Sequence, residues 1–340
     1  MTWGVRRVLV TGGAGFIGSH LVERLVAGGA EVVVLDARTR AAVNYDLVWS
    51  TVAGVVVGDV RDYATVDLCA GDVDLVFHLA AESHVDASLA DPGEAFSTNA
   101  VGTQNVALAC VRHGVPLVYC STDEVYGDLV DTPWATSGAV ELVTPLAPSS
   151  PYSAGKAAGE MAVWAACRSL GLRAVVTRGS NAFGPRQVPE KLVPIAVRTL
   201  LAGRPVPVHG GGRQVRQWVH VAEFAEALDL AGRLALDLPV GRVECLNVAG
   251  PSRLSVVSLV RRLAEQVPTA LPDRGPVSLP HVVAVPDRPG QDRCYHVSGE
   301  RARVLLGFEA TRSVESADEL RQLVRDYAGS DATHVSEYTG

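Results

Sequence analysis

Tyr152 and Lys156 stand four residues apart, and Asp123 and Glu124 lie side by side about thirty residues earlier. On a helix, side chains at i and i+4 share a face, so the phenol and the amine would meet. A neighbouring ammonium favours the ionised phenol, which can then take a proton from a hydroxyl group. Two adjacent carboxyls add a second acid/base pair, because they resist joint ionisation and their pKa values move apart. The chain has 28 Arg and only 2 Lys, Lys156 and Lys191. An amine differs in kind from a guanidinium, above all in how readily burial shifts its pKa, so a lysine retained here argues for chemistry. Alone, a Tyr/Lys pair is an ordinary helix face, and an acid pair after a strand is an N-cap cluster. Found together, they read as an enzyme site.

Such groups need a scaffold, and the first half of the chain supplies a repeating one. Short apolar runs at Arg7–Val10, Glu31–Leu35, Val55–Val57, Leu75–Leu79, Leu117–Cys120 and Arg173–Thr177 read as strands. They are rich in Val and Leu and mostly lack alternation, as expected when helices cover both faces of a parallel sheet. Helical patterns fall near 17–28, 93–112 and 151–170. The repeat predicts an α/β fold, a Rossmann-type doubly wound parallel sheet with ligands at the carboxyl ends of its strands. Beyond about 180, Pro185, Pro189, Pro194, Pro205 and Pro207 break the pattern, and Gly210-Gly-Gly212 marks a turn. Helices are expected near 220–233, 255–266 and 315–328, with a strand at Val243–Val248. Residues 1–180 are therefore expected to form a dinucleotide-binding domain that carries the reacting groups. Residues 181–330 are expected to form a smaller mixed lobe, mainly nucleotide-sugar-binding, that returns some segments to the sheet, followed by a flexible tail over 331–340.

Composition narrows the class. At 340 residues and 48% hydrophobic, the chain can bury a large core and is not disordered. A net charge of −7 with no basic run argues against nucleic-acid binding. The cysteines at 69, 110, 120, 167, 245 and 294 form no C-x-x-C pair, which suits reduced, buried thiols. Residues 1–10 lead straight into a strand and no apolar stretch reaches membrane-spanning length, so a cytoplasmic protein without signal peptide or membrane contact is expected. No metal site is expected.

The first strand ends in Gly12-Gly-Ala-Gly15-Phe16-Ile17-Gly18, spaced G-x-x-G-x-x-G, with a helix pattern following. Glycines there let the backbone approach a pyrophosphate while a helix N-terminus supplies donors and a positive dipole. Asp36 ends the second strand, where an acid binds the adenine ribose hydroxyls and repels a 2′-phosphate, favouring NAD over NADP. Arg38 and Arg40 nearby keep NADP in play. Asp59-Val60 ends the third strand and could face the adenine.

This glycine loop, Asn99, Ser121-Thr122 and the Tyr152/Lys156 pair resemble the extended short-chain dehydrogenase/reductase family over essentially the whole chain. Within it the sequence is most similar to the nucleotide-sugar 4,6-dehydratases. The matching stretches are Leu79-Ala-Ala-Glu-Ser-His-Val-Asp86, Ser121-Thr-Asp-Glu-Val-Tyr-Gly127, Ser150-Pro-Tyr-Ser-Ala-Gly-Lys156, Ser180-Asn181, Gly184-Pro185, Pro189-Glu-Lys-Leu192 and Asp287-Arg-Pro-Gly290. The resemblance implies that Tyr152 removes the sugar O4 proton, Thr122 bonds O4, and Lys156 lowers the Tyr152 pKa and touches the nicotinamide ribose. Glu124 would be the base at C5, and Asp123, held protonated, the acid that releases the C6 hydroxyl as water. Epimerases of the family lack the acid pair, and related decarboxylases usually carry Ser where Asp123 stands, so Asp123 discriminates between them.

The resemblance also adds Leu79, Ala81, Ser83 and Asn99 to the cofactor site. It places Ser83, Thr122, Asn181, Glu190, Lys191, Leu192, Pro207, His209, Arg216, Asn247, Arg288 and Gln291 around a nucleotide-sugar substrate, with dTDP-glucose expected before others. Arg216 and Arg288 are the diphosphate candidates, since a guanidinium fork matches phosphate oxygens. Ala87, Ala182-Phe183, His209, Gln217 and Gln291 depart from the usual pattern of enzymes that act on dTDP-glucose, which leaves the base and hexose open. A 4-epimerase, a decarboxylase of UDP-glucuronate, and a protein that only binds a dinucleotide stand as alternatives. By analogy with the family, helices near 93–112 and 151–170 would pair two subunits in a homodimer.

Overall fold

The computed structural model describes residue 3 and residues 6–277 and 280–329; the tail expected to be flexible lies, after Gly329, outside the described residues. In chain order the strands are β1 (Arg7–Thr11), β2 (Glu31–Asp36), β3 (Gly54–Val57), β4 (Leu75–His78), β5 (Leu117–Thr122) and β6 (Ala174–Gly179). They continue with β7 (Asn181–Phe183), β8 (Val206–His209), β9 (Val215–His220), β10 (Val243–Val248), β11 (Ser252–Ser255) and β12 (Val282–Val285). Seven of them form a parallel sheet in the order β10-β6-β5-β4-β1-β2-β3. Val8, Leu9 and Val10 of β1 and Leu117, Val118 and Tyr119 of β5 are all fully buried, which explains their unbroken apolar runs. The chain winds one way through β2 and β3, then reverses through β4, β5 and β6. That reversal puts a crevice at the carboxyl ends of β1 and β4.

The helices Phe16–Ala27 and Val221–Asp237 cover one face through Leu21, Leu25, Phe77, Val118 and Leu228. The helices Tyr63–Ala70, Gly102–His113 and Pro151–Leu170 cover the other through Leu9, Leu35, Val106, Tyr119 and Val163. A separate core of Phe183, Val197, Trp218, Leu259, Leu263 and Leu323 lies under the helices Leu192–Leu201, Val256–Ala270 and Ala317–Gly329. Beside it run a three-stranded sheet, β11-β9-β7, and a two-stranded one, β12-β8.

The strands of the main sheet match their expected ranges to within a residue or two. The structure adds β7, β8, β9, β11, β12 and the helix Leu192–Leu201, in a region whose prolines read as breaks in the sequence. Pro207 sits in a four-residue strand that pairs on one side only, and Pro194 lies in the first turn of its helix. At neither place does the missing N–H remove a bond the element requires.

The helix Pro151–Leu170 is defined at both ends. Ser150 caps it with a reciprocal bond to Ser153, proline occupies its first position, and Gly171 closes it at φ +79°. Its buried stripe runs Tyr152, Lys156, Glu160, Val163 and Cys167. Gly159 lets this helix approach β5, since a Cβ there would sit 2.6 Å from the Tyr119 hydroxyl and 2.7 Å from the Asn99 carbonyl. The single helix expected over 93–112 is instead interrupted. A turn at Pro92–Phe96 leads into π-helical Ser97–Val101, and the α-helix resumes over Gly102–His113. Asn99 lies in that bulge, turned inward toward the crevice loop, and such bulges recur at functional sites.

Candidate active site

At the crevice, β1 turns through Gly12 at φ +70° into the helix Phe16–Ala27. The three fingerprint glycines do different work. A Cβ on Gly12 would lie 2.6 Å from the Ala80 amide nitrogen, and one on Gly18 only 2.2 Å from the Gly12 carbonyl, so both permit close backbone packing. Gly15 meets nothing nearer than 3.3 Å and keeps its open side toward the cleft. The Asp36 carboxylate accepts the amides of Ala14 (3.0 Å) and Arg38 (2.9 Å), and burial raises its pKa. Arg40, which lines the same cleft, pairs with Glu82 (3.5 Å) and Glu190 (3.4 Å). Asp59 pairs with Arg61 at 2.6 Å, next to buried Val60.

Gly12, Gly15, Phe16, Ile17, Gly18, Asp36, Asp59, Val60, Leu79, Ala81 and Ser83 line one continuous cleft. Thr122, Asp123, Glu124, Tyr152, Lys156, Asn181, Glu190 and Lys191 line the same cleft. Asn99 lies one layer beneath it. Its amide accepts from the Glu82 N–H (3.0 Å) and donates to the Glu82 carbonyl (2.9 Å), which shapes the loop after β4.

Strand β5 delivers Ser121 and Thr122, then tightens into a 3₁₀ turn over Asp123–Tyr126. Thr122 caps that turn by accepting the Glu124 amide (3.3 Å) and donates to Asp123 Oδ1 (3.3 Å). Asp123 is 3% exposed, and its Oδ2 has no hydrogen-bond partner. Burial, and then the charge of Glu124, push its pKa well above the carboxylate range. Burial also raises Glu124, while Arg216 and Lys191 pull it back. Both carboxyls are therefore raised, and the opposing cations act more strongly on Glu124.

The Tyr152/Lys156 pair differs from expectation. Burial and the Glu124 charge raise the Tyr152 pKa well above its ordinary value. The Lys156 amine donates to the Cys120 carbonyl at 2.6 Å and lies 4.5 Å from the Tyr119 ring centre. Burial pushes its pKa down to about 8. The phenol therefore holds its proton here: both groups are too deeply buried for spacing alone to set their charges.

The remaining sequence candidates are dispersed. Lys191 donates to the Ser83 carbonyl (2.7 Å), bridging the two sides of the cleft, and Asn181 leaves a buried Oδ1 without a partner. Leu192, Pro207, His209, Arg216, Asn247, Arg288 and Gln291 do not form its walls. Leu192 packs on the lobe core, and Pro207 pairs with Val283 between β8 and β12. His209 bonds the Pro286 carbonyl (2.8 Å), and Gln291 that of Asp292 (3.4 Å). Arg216 stacks 4.1 Å over Tyr295 and donates to Asp292, while Arg288 pairs with Asp86 at 2.7 Å. Both guanidinium groups still act on the charge of Glu124. Asn247 is fully buried, with its amide bonded to Tyr126, Ala139 and Ser298. Gln217 is likewise committed, to Gly250 and Val297.

Sequence reasoning gave no role to Glu160 and Arg178, which form a buried ion pair beneath the acid turn. The available signal was Glu160 itself, four residues beyond Lys156 on the same helical stripe.

A dinucleotide fits the cleft. Helix amides and an open Gly15 at one end suit a diphosphate, and Asp36 suits a ribose diol. Asp123 and Asn181, each with a buried oxygen that lacks a hydrogen-bond partner, line the same cleft.

Comparison with known proteins agrees with this geometry. The model of the NAD dependent epimerase/dehydratase family matches residues 8–243. A dTDP-glucose 4,6-dehydratase of Streptomyces griseus is 42% identical, over 94% of this chain and 93% of its own length. A dTDP-glucose 4,6-dehydratase of Streptomyces venezuelae, solved with NAD bound, superposes at a TM-score of 0.84 with 36% identity, over 95% of this chain and 97% of its own. The NAD complex of the UDP-glucose 4-epimerase of Thermus thermophilus gives a TM-score of 0.81 at 31% identity, over 96% of this chain and 100% of its own. The chain belongs to the NAD dependent epimerase/dehydratase family.

Proposed function

We propose that this protein is an NAD-dependent nucleotide-sugar 4,6-dehydratase acting on dTDP-glucose, and that it yields the 4-keto-6-deoxy sugar for deoxysugar synthesis. One observation carries the reading. Asp123, buried, with no partner for its Oδ2 and with its pKa raised by burial and by the Glu124 charge, lines the cleft together with Glu124, Thr122 and Tyr152. Oxidation or epimerisation at C4 has no use for such an acid; expelling a C6 hydroxyl as water requires one.

When bound, NAD would take the C4 hydride and return it at C6. Gly12, Gly15, Phe16, Ile17, Gly18, Asp36, Asp59, Val60, Leu79, Ala81 and Ser83 would hold it, with residues 1–180 as the cofactor half. Tyr152 would first release its own proton to solvent and then, as the phenolate, accept the O4 proton as C4 is oxidised. Its raised pKa makes it a weak acid at rest and a strong base once ionised, and Lys156 would offset the charge. The new ketone acidifies the C5–H bond. Glu124 would take that proton while Asp123 gives its own to the leaving C6 hydroxyl, so one water departs and one double bond forms. Return of the hydride to C6 and of the Glu124 proton to C5, with Asp123 reprotonated from solvent, would complete the turnover. Asn181, Glu190 and Lys191 would hold the hexose, with Arg216 and Arg288 beyond them toward the diphosphate.

A homodimer and a cytoplasmic location are part of the proposal. Phe96, Val101 and Met161 leave large apolar surface exposed on the two helical segments expected to pair. Six free thiols, five of them buried, suit a reducing compartment. Among the described residues no helix is long and apolar enough to cross a membrane.

The test is mass spectrometry of the purified protein incubated with dTDP-glucose, UDP-glucose or UDP-glucuronate, without added NAD. Loss of one water from dTDP-glucose is the expected outcome. Loss of carbon dioxide from UDP-glucuronate would identify a decarboxylase. An unchanged mass with an inverted C4 centre would identify an epimerase.

A further inference from the structure

Glu160 and Arg178 are almost completely buried, with a 2.6 Å contact between Glu160 Oε2 and Arg178 Nη2. Stability alone accounts poorly for such a pair, because well-packed apolar residues of similar volume often serve as well or better. Their other bonds are more informative. Glu160 Oε1 accepts the Ser121 hydroxyl at 2.5 Å, just before the acid turn. Arg178 Nη1 donates to the Tyr126 hydroxyl at 2.8 Å, at the end of that turn, and to the Glu141 carbonyl at 3.1 Å. Tyr126 passes the chain on to Asn247 at 2.9 Å. Arg178 also lies 4.8 Å over the Tyr126 ring. The ion pair therefore grips both flanks of Asp123–Glu124. Glu160 belongs to the helix that carries Tyr152 and Lys156, and Arg178 to β6.

We propose that the buried Glu160–Arg178 pair is a positioning device that sets the acid turn against the Tyr152/Lys156 helix, so that the elimination groups reach the carbons next to the one being oxidised. The inference rests on the proposed dehydratase reading and goes further: one chain of bonds keeps two successive steps in register. Oxidation depends on Tyr152 and Thr122, on the helix and the strand. Elimination depends on residues of the short turn, which the ion pair holds at both flanks through Ser121 and Tyr126. Loosening the turn would slow elimination more than oxidation.

Ser121→Ala and Tyr126→Phe each remove one link without stranding a charge. In the first turnover with dTDP-glucose, rapid-mixing absorbance of the reduced nicotinamide reports oxidation, and quenched-flow mass spectrometry reports water loss. For each variant we expect oxidation and KM to stay within about threefold. We expect water loss to slow about tenfold or more, the scale of a misplacement under 1 Å, so that reduced nicotinamide accumulates. The double replacement Glu160→Leu/Arg178→Met removes both charges together. If the pair were merely structural, restored folding, read by Tm, would restore turnover. We expect slow water loss in a folded protein. Wild-type partition between the two steps in Ser121→Ala and Tyr126→Phe, or full turnover in the folded double variant, would overturn the proposal. Wild-type protein that releases no water from any nucleotide hexose would overturn the proposed function itself, and this inference with it.

Discussion

Asp123→Asn is the sharpest single perturbation. Asn matches the shape and neutrality of a protonated carboxyl but cannot deliver a proton to a leaving hydroxyl. Because Asp123 is nearly fully buried and its Oδ2 has no partner, no bond to Oδ2 is lost in the exchange. A general acid contributes about 10²–10⁴-fold, or about 3–5 kcal/mol of activation free energy. Water loss should fall by that factor while oxidation at C4 persists. Stability should move the other way. The folded-state pKa lies above the unfolded one, so the folded protein retains a proton that the unfolded chain gives up. Wild-type stability therefore falls as pH rises above the unfolded carboxyl value of about 4, and the Asn variant escapes that loss. The assay pairs single-turnover mass spectrometry with Tm measured from about pH 4 to 7. Asn protein that loses water at the wild-type rate would refute the acid role. A Tm difference between the two proteins that did not grow with pH would refute the buried, protonated state.

Other expectations follow from the same geometry. The Lys156 pKa is lowered to about 8, so an ammonium requirement predicts that the native rate falls relative to that of Lys156→Arg as pH rises through about 8, and the variant should have the lower kcat at about pH 7. Asp36→Asn removes a charged acceptor of two amides, so NAD affinity should fall about 10–100-fold and the preference over NADP should narrow, measured by titration of the apoprotein. Gly18→Ala forces a Cβ to 2.2 Å from the Gly12 carbonyl and should cost about 1–3 kcal/mol of stability by urea unfolding. Gly15→Ala brings a Cβ to 3.3 Å from the Gly12 carbonyl, a milder clash, and should lower Tm less than Gly18→Ala while weakening NAD binding.

Where local pattern sets the outcome, the sequence is a sufficient guide. Fully covered parallel strands need continuous apolar runs, so β1, β2, β4, β5, β6 and β10 were readable from Val and Leu alone. A glycine turn between a strand and a helix, an acid ending the second strand, and Tyr152 four residues before Lys156 are likewise local facts. Short strands of the smaller lobe have no such signature. Strand β7 has three residues, and β8 carries a proline that is tolerated because the strand pairs on one side only.

The charge state of the reacting groups belonged to the tertiary structure. Spacing put Lys156 beside Tyr152, but burial and the Cys120 carbonyl decided that the amine is held there and that the phenol keeps its proton. The substrate-side residues also depended on long-range packing. Asn181 and Lys191 reach the cleft, while Asn247 is spent on Tyr126, Ala139 and Ser298. The Glu160–Arg178 pair joins residues 18 positions apart and grips a turn from a third element, and no periodicity encodes that. Sequence by itself determined the kind of fold, the cofactor cradle and which residue types were available for acid/base work, because those follow from neighbouring side chains and backbone period. Only the tertiary structure decided which groups share the cleft, how deeply each is buried and which protons they hold, because desolvation and long-range bonds exist only once the chain has closed on itself.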